Sequence, residues 1–250
     1  MITIKTNEEI AKMKEAGHIN YMCHKFIESK IKVGISTKEL NDLADKFIRD
    51  NDGIPSFLNY EGFPTSICTS INDEVVHGFP SKRKLKKGDI ISIDIGVIYK
   101  GYHSDSANTY GVGSISKEKK FLIEHTKASL YEGLKEVKNG VRLGNIGSAI
   151  EEYALKHNLG VVKELVGHGV GKCLHEDPDV PNYGKRNTGL ILKTGMTVAI
   201  EPMLNLGSEK VCILDNNWTV VTEDGSPSAH FEHTVLVTDD GYVILTGEWI

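Results

Sequence analysis

The segment DIISIDIGVIYKGYHSDSANTY, residues 89–110, decides the fold of this chain. Its apolar, β-branched first half contains Asp94, and the residues that follow predict a turn and thus a β-hairpin. A turn at Tyr99-Lys100 places Asp94 opposite Asp105, whereas a turn at Lys100-Gly101 makes the two residues diagonal neighbours on one face. Either register brings two carboxylates together among apolar side chains, where they must share a proton or a cation.

The chain also resembles itself at an offset of 106 to 107 residues. Lys87–Asp94 matches Thr194–Glu201, and Lys32–Ile35 matches Lys138–Val141 ahead of a second helical pattern. We interpret these matches as an ancient duplication within one domain spanning residues 1–250. Its halves meet at a seam near 111–116, each half offers an acidic residue from an equivalent strand, and a site is expected between them.

Composition indicates an ordinary globular protein of 250 residues, with 40% hydrophobic and 25% charged residues. The net charge of −5 argues against a dedicated DNA-binding protein. No apolar run approaches the ~20 residues of a membrane span, and the N-terminus lacks a signal-peptide core. The four cysteines lie far apart without CxxC spacing, which indicates free thiols and predicts a cytoplasmic protein.

Hydrophobic periodicity predicts an α+β protein. Four helices are expected. The first covers 7–30, the second runs from a cap at Ser36 or Thr37 to about Arg49, and the other two cover about 117–138 and 143–158. Strands are expected near 161–176, 196–206, 210–222 and 229–245, with proline-broken strands between 54 and 80. The basic run at 82–87 is interpreted as a solvated loop, with contact to ribosomal RNA phosphates as the open alternative.

Further polar residues stand where apolar ones are expected. His168 lies among the glycines of GHGVG, Glu201 ends an apolar strand before Pro202, and Glu232 opens another apolar strand. A structural role or a salt bridge is the alternative for each. His175 follows His168 by seven residues, so in an unbroken strand the two imidazoles would face opposite sides and have different roles.

Asp94, Asp105, His168, Glu201 and Glu232 together form a set of four carboxylates and one imidazole. Such oxygen-rich ligands favour manganese, iron(II), cobalt or zinc, and the absence of thiolates argues against a structural zinc site. Two divalent ions would neutralise the four negative charges. We therefore predict a two-metal centre, which activates a bridging water and polarises a scissile carbonyl.

From about Ile4 to Leu245 the chain resembles the type I methionine aminopeptidases. The motifs that carry the resemblance are NDEVVHG (72–78), DIG…HSDSANT (94–109), GHGVG…LHEDP (167–178), AIEPML (199–204) and WTVVTEDGSPSAHFEHTV (218–235). The resemblance implies the pita-bread fold, a curved antiparallel sheet backed by two helix pairs with pseudo-twofold symmetry. It also implies a monomeric enzyme that removes initiator methionine from nascent chains whose second residue is small, near the ribosome exit tunnel.

The resemblance assigns roles to the candidate ligands. Asp94 corresponds to a ligand of one ion, Asp105 and Glu232 to bridging carboxylates, and His168 and Glu201 to ligands of the second. The implied cofactor is two divalent ions, cobalt, manganese, iron or zinc.

Catalytic and binding roles follow from the same resemblance. Glu201 corresponds to the general base that takes a proton from the bridging water, His77 to a contact of the scissile amide, and His175 to the group that stabilises the oxyanion. The methionine pocket corresponds to Tyr60, Phe63, Cys68 and Trp218. Phe57 and Leu174 depart from the commonest bacterial pattern, where a small residue and an aromatic residue are frequent, and are expected to alter the shape of that pocket.

Several relatives with the same fold are alternatives. Prolidases and aminopeptidase P usually carry an added N-terminal domain, whereas this chain begins almost at the shared helix. Creatinase-like members lose metal ligands, and type II methionine aminopeptidases carry an insertion between the two glutamates that correspond to Glu201 and Glu232. A non-catalytic binding protein is the alternative from another class, and the presence of His77 and His175 argues against it.

Overall fold

Residues 2–248 are described by a computed structural model. Four helices form two pairs: α1 (Asn7–Glu28) with α2 (Thr37–Asp50), and α3 (Lys117–Lys135) with α4 (Leu143–Lys156). Ser36 caps α2, as predicted, in a capping box with Glu39. None of the helices in this part of the chain is long and apolar enough to cross a membrane.

The strands are short apart from one long hairpin, and every pairing between them is antiparallel. In chain order they are β1 (Ile54–Pro55), β2 (Ile67–Ile71), β3 (Glu74–Val76), β4 (Ile90–Tyr99), β5 (Tyr102–Gly111), β6 (Gly160–Val161), β7 (Gly167–Gly169), β8 (Glu176–Val180), β9 (Thr197–Ile200), β10 (Met203–Asn205), β11 (Val211–Ile213), β12 (Val220–Thr222), β13 (Ser228–His230), β14 (His233–Val237) and β15 (Tyr242–Ile244). The predicted α+β class is confirmed.

Two larger sheets lie under the two helix pairs. The first contains β1, β2, β4 and β5, and the second has the order β15-β14-β9-β7-β8. One hydrophobic core joins α1 and α2 to the first sheet through residues such as Ile27, Leu40 and Ile93. A separate core joins α3 and α4 to the second sheet through Ile146 and Val235 among others.

The β4–β5 hairpin adopts the second of its two predicted registers. Tyr99 pairs with Tyr102, so the turn consists of Lys100 and Gly101, with φ of 48° and 79°. Two consecutive positive φ values match the turn that suits the right-handed twist of a hairpin. Gly96, two residues beyond Asp94, pairs with Asp105, and the two carboxylates are therefore diagonal neighbours on one face.

The internal sequence match has counterparts in the hydrogen bonds. Gly34 N–H donates to the Leu85 carbonyl at 2.8 Å, and Gly140 N–H donates to the Leu192 carbonyl at 2.9 Å. Both glycines have positive φ, 90° and 83°, a region that other residues rarely adopt. The donors and the acceptors of these two hydrogen bonds are separated by the same 106 to 107 residues as the matching sequence segments. The division into halves with a seam near 111–116 stays a prediction.

The β4–β5 hairpin is hydrogen-bonded to the segment that contains Glu232 and β14. Glu232 N–H donates to the Ala107 carbonyl at 2.9 Å. Thr234 Oγ1 accepts from Asp105 N–H at 3.0 Å and donates to the Asp105 carbonyl at 2.8 Å. Because these bonds link β5 to β14, the positions of the acidic residues from the two sheets are set relative to one another.

All four strands predicted after residue 160 are interrupted, and the break in 161–176 corrects a prediction about the site. β7 ends at Gly169 and the chain turns back so that Gly169 pairs with Glu176 of β8. A Cβ atom at Gly169 would lie 2.3 Å from the Asp177 carbonyl oxygen, so only glycine permits this approach. The prediction of opposite faces for His168 and His175 is therefore wrong, since no continuous strand joins them.

The predicted segments 196–206, 210–222 and 229–245 are also divided, into β9 and β10, β11 and β12, and β13 to β15. The basic run behaves as the predicted solvated loop, because its lysines and Arg83 are exposed while Leu85 is buried. All four cysteines are free thiols, as predicted.

Packing of α1 against the C-terminal segment gives a stability prediction. A Cβ atom at Gly17 would lie 2.0 Å from the Leu245 carbonyl oxygen, whereas one at Gly241 would have no neighbour within 4 Å. Gly17→Ala is expected to lower the free energy of unfolding by about 1–3 kcal/mol through overpacking, despite the higher helix propensity of alanine. Gly241→Ala serves as the control and should stay within about 0.5 kcal/mol of the parent in urea denaturation. Equal stability of the two variants would contradict this account.

Candidate active site

All residues predicted for the site line one cavity of about 230 Å³. Side chains from both large sheets and from the loops between them reach it. The predicted residues brought together there are Tyr60, Phe63, Cys68, His77, Asp94, Asp105, His168, His175, Glu201, Trp218 and Glu232. Residues separated by more than 100 positions in sequence thus share one space.

Strand register explains why the second pair of acids meets. Ile200 pairs with His233 and Met203 pairs with His230, so Glu201 and Glu232 lie opposite each other where the ladder is interrupted. Pro202, which has no backbone N–H to donate, follows Glu201 at this interruption. Like charges at opposed positions of a sheet are destabilising, so this pair requires a compensating proton or cation.

His168 faces the carboxylates with one ring nitrogen. Its Nε2 lies 3.8 Å from Asp105 Oδ2 and 3.6 Å from Glu201 Oε1. Its Nδ1 lies 2.9 Å from the Gly169 carbonyl oxygen, which can only accept, so the ring proton belongs on Nδ1. This tautomer leaves the Nε2 lone pair directed at the acids, as in metal-ligating histidines.

Several carboxylate oxygens in this cluster have no hydrogen-bond partner. Asp94 Oδ1, Asp105 Oδ1 and Glu232 Oε1 are buried and unbonded. Ligand atoms of Asp105, His168 and Glu232 lie within 4.8 Å of one another. Unsatisfied buried acceptors are costly, and a divalent cation would satisfy them. The residues present therefore fit a divalent metal site of oxygen and imidazole ligands.

Burial also raises the pKa of every acid in the cluster. It raises the pKa of Asp94 to about 7 and that of Glu201 to about 8. The pKa values of Asp105 and Glu232 are held well above their usual range by burial and by the neighbouring carboxylates. Four ionised carboxylates are thus unfavourable here without a cation of high charge.

Two further histidines face the cavity. His175 Nδ1 lies 2.8 Å from the Tyr60 hydroxyl, and its ring centroid lies 4.1 Å from that of His168. His77 has a φ of 58° and its carbonyl accepts from Thr219 Oγ1 at 3.2 Å. Burial lowers the pKa of His77 to about 4 and also lowers the pKa of His175. Both imidazoles are therefore neutral near pH 7, with one N–H available as a donor.

Apolar side chains form the opposite wall of the cavity. Phe57, Phe63, Cys68 and Leu174 form a buried cluster against which Trp218 packs. Rings of Phe63 and Trp218 meet edge to face at 5.1 Å, an arrangement that stabilises aromatic pairs. Phe57 and Leu174, the two departures noted in the sequence, thus lie in the wall that was expected to hold methionine.

Sequence reasoning missed one histidine of the site. His230 is 2% exposed, and its Nε2 lies 3.5 Å from Glu201 Oε2. Burial lowers the pKa of His230 to about 4. Strand alternation was the available signal, since His230 precedes Glu232 by two residues and therefore shares its face. Met203, Val76, Leu165 and Glu61 also line the cavity and were not predicted.

Comparisons with known proteins agree with this geometry. Metallopeptidase family M24 matches residues 11–239. Methionine aminopeptidase 1 of Bacillus subtilis (strain 168) is 55% identical over 246 residues, which are 98% of this chain and 99% of that protein. The crystal structure of methionine aminopeptidase from Rickettsia prowazekii has a TM-score of 0.98 at 44% identity, covering 99% of this chain and 100% of its own.

A prolidase structure from Pyrococcus horikoshii OT3 is more distant. It is 22% identical, with a TM-score of 0.78, and the match covers 98% of this chain and 64% of the prolidase. At this identity the likeness concerns the fold alone.

Because the acids are clustered, we expect one substitution to have opposite effects on the free energy of unfolding with and without metal. Mn²⁺ or Co²⁺ at 100 times its Kd should raise the free energy of unfolding of metal-free protein by about 2.7 kcal/mol. Asp105→Asn should remove most of this gain, yet leave the metal-free protein at least as stable, because it replaces a carboxyl group whose ionisation is disfavoured by burial and by the neighbouring acids. Thermal unfolding with and without metal measures both effects, and Asp42→Asn on the exposed face of α2 is the control. A full metal response in Asp105→Asn would contradict the assignment.

Proposed function

This chain belongs to metallopeptidase family M24, among its methionine aminopeptidases, and we propose that it hydrolyses the N-terminal methionine of nascent proteins and peptides whose second residue is small. It is a metalloexopeptidase with the pita-bread fold of that family. The observation that carries the proposal is the meeting, in one cavity, of five candidate ligands, two neutral histidines and an apolar slot.

Membership in the family implies divalent metal ions. We propose that two ions are held by Asp94, Asp105, His168, Glu201 and Glu232, and that cobalt, manganese, iron(II) or zinc can fill the site. When bound, such ions lower the pKa of water and polarise the scissile carbonyl, as is known for other two-metal hydrolases, aminopeptidases included.

Glu201 acts as the general base in this proposal. Its carboxylate takes a proton from the water that attacks the scissile carbonyl carbon, and can pass it to the departing amine. Support comes from its position, since Glu201 lines the cavity and is fixed at the end of β9 with its carbonyl accepting from Asn182 Nδ2 at 3.1 Å.

His77 and His175 act on the substrate rather than on the metal. A neutral His175 that accepts from the Tyr60 hydroxyl at Nδ1 carries its proton on Nε2, where it can stabilise the developing oxyanion. His77 is proposed to contact the scissile amide. Its left-handed backbone is a strained conformation of the kind that persists where the surrounding structure holds a functional residue.

The apolar wall recognises the methionine side chain. Tyr60, Phe63, Cys68 and Trp218 surround a slot suited to an unbranched, polarisable thioether. The free amino group of the substrate would lie near the buried carboxylates, which restricts hydrolysis to the first peptide bond. Phe57 and Leu174 belong to the same apolar cluster and are proposed to shape the slot. Phe57 packs against β4, where a Cβ atom at Gly96 would lie 2.7 Å from its ring.

We further propose a monomer that acts in the cytoplasm on chains leaving the ribosome. The exposed basic loop at 82–87 is the surface that would meet phosphates of ribosomal RNA. Prolidase- or aminopeptidase P-like activity is disfavoured, because the relatives with close to half or more of their residues identical are methionine aminopeptidases. A non-catalytic role would leave His77 and His175 without a purpose.

The proposal is tested with tetrapeptides. Metal-free protein should release methionine from Met-Gly-Met-Met, and far more slowly from Met-Leu-Met-Met, only after manganese, cobalt or iron(II) is restored. Glu201→Gln, prepared in parallel, should lose about 10²–10⁴-fold in rate while it stays folded, which excludes a contaminating peptidase. Absence of cleavage with every metal, in folded protein, would overturn the proposed activity. Equal cleavage of both peptides would overturn the second-residue specificity.

A substitution at His77 is expected to separate an effect on the chemical step from an effect on metal binding. His77→Ala is expected to lower kcat by about 10²–10³-fold while the bound metal is unchanged, because the imidazole contacts substrate and is not a ligand. Steady-state kinetics together with metal analysis measures both. His157→Ala, which removes a histidine at the end of α4, is the control. Loss of metal from His77→Ala would show that the assignment of His77 is wrong.

A further inference from the structure

His230 has no role in the mechanism above, yet it lies against Glu201. Its side chain is buried, and its Nε2 atom has no hydrogen-bond partner. That atom lies 3.5 Å from Glu201 Oε2. A buried nitrogen without a partner is costly, and such atoms call for an explanation in the working state of a site.

Two imidazoles flank the Glu201 carboxylate, one at each oxygen. His168 Nε2 lies 3.6 Å from Oε1, and His230 Nε2 lies 3.5 Å from Oε2. His168 also faces Asp105, so Oε1 is on the side of the proposed ions. The second oxygen, Oε2, points to His230 instead. Oε1 is thus placed to ligate a metal ion, and Oε2 is placed to accept a hydrogen bond from the protein.

The backbone of His230 is fixed from a neighbouring sheet. Its N–H donates to Thr109 Oγ1 at 2.9 Å, and the Thr109 hydroxyl donates to the His230 carbonyl at the same distance. Ser92 Oγ lies 2.8 Å from Thr109 Oγ1, where it can donate in turn. Side chains on such constrained strands hold their partners more accurately than side chains on loops.

The strand register shows that His230 occupies the same kind of position relative to Glu201 as Asp105 does relative to Asp94. Ala107 pairs with Asp94, and Asp105 lies two residues before Ala107. Glu232 lies opposite Glu201, and His230 lies two residues before Glu232. Each is the diagonal neighbour on the same face. The diagonal position therefore holds a carboxylate beside Asp94, whereas it holds an imidazole beside Glu201.

We propose that His230 is a positioning residue whose Nε2–H donates to Glu201 Oε2 and orients the carboxylate, so that Oε1 faces the ion that His168 shares. The inference rests on the proposed function, since it requires Glu201 to be a ligand. Hydrogen bonds of this kind orient ligating groups in metal sites, and their loss weakens metal binding or activity by about 10–100-fold.

The test uses Co²⁺, whose visible absorption reports its ligand geometry. Metal-free parent protein, His230→Ala and His230→Gln are titrated with Co²⁺, followed by calorimetry and absorption. His230→Ala should bind one Co²⁺ about 10–100-fold more weakly, with an altered spectrum and a reduced kcat at nearly unchanged KM. His230→Gln, whose amide N–H can donate, should recover most of the affinity and the spectrum. His157→Ala removes a half-buried imidazole at the end of α4, outside the cavity, and controls for the loss of a histidine elsewhere.

Each outcome decides the proposal. Co²⁺ affinity and spectrum unchanged in His230→Ala would overturn it. A His230→Gln variant no better than His230→Ala would also overturn it, because the imidazole itself would then be needed as a ligand. Should His230→Ala not fold, His230→Leu fills the same volume without a donor and replaces it. Parent protein that binds no Co²⁺ would instead overturn the proposed function.

Discussion

The mutual repulsion of four buried carboxylates is the constraint on which this structure depends. Asp94 and Asp105 come from the β4–β5 hairpin, Glu201 and Glu232 lie opposite each other beside the paired strands β9 and β14, and burial makes ionisation of all four unfavourable. Such a cluster is retained only if something compensates it, and the proposed pair of divalent cations would do so with ligands that suit them. The surrounding fold can be understood as the frame that holds these acids at the required spacing.

That frame is built by bonds between the β4–β5 hairpin and the segment containing β13 and β14. Thr234 exchanges hydrogen bonds with the backbone of Asp105, and Thr109 exchanges them with the backbone of His230. Both threonines act across more than 100 residues of sequence. Each helix pair covers its own sheet with its own core, and the contact between the two sheets determines the site.

The cavity contains both the candidate ligands and the apolar slot proposed to recognise methionine. The two groups are in contact, because Cys68 of the slot pairs with Asp94 across β2 and β4, and Tyr60 bonds to His175. In the proposed function, Phe57 and Leu174 act on the slot and leave the ligand set unchanged. Changes in the slot alter which side chain fits, whereas changes among the acids alter the charge that the metal must balance.

Local chemistry in the sequence determined the helices and their caps, the hairpin with its paired acids, and the set of candidate ligands, because periodicity, capping and turn preferences act over a few residues. Tertiary structure decided the rest. It selected the diagonal register of Asp94 and Asp105, and it broke the strand between His168 and His175 where Gly169 approaches the Asp177 carbonyl. It also placed His230 against Glu201. These outcomes depend on which segments, far apart in sequence, come within hydrogen-bonding distance of one another. The periodicity within one segment carries no information about such contacts.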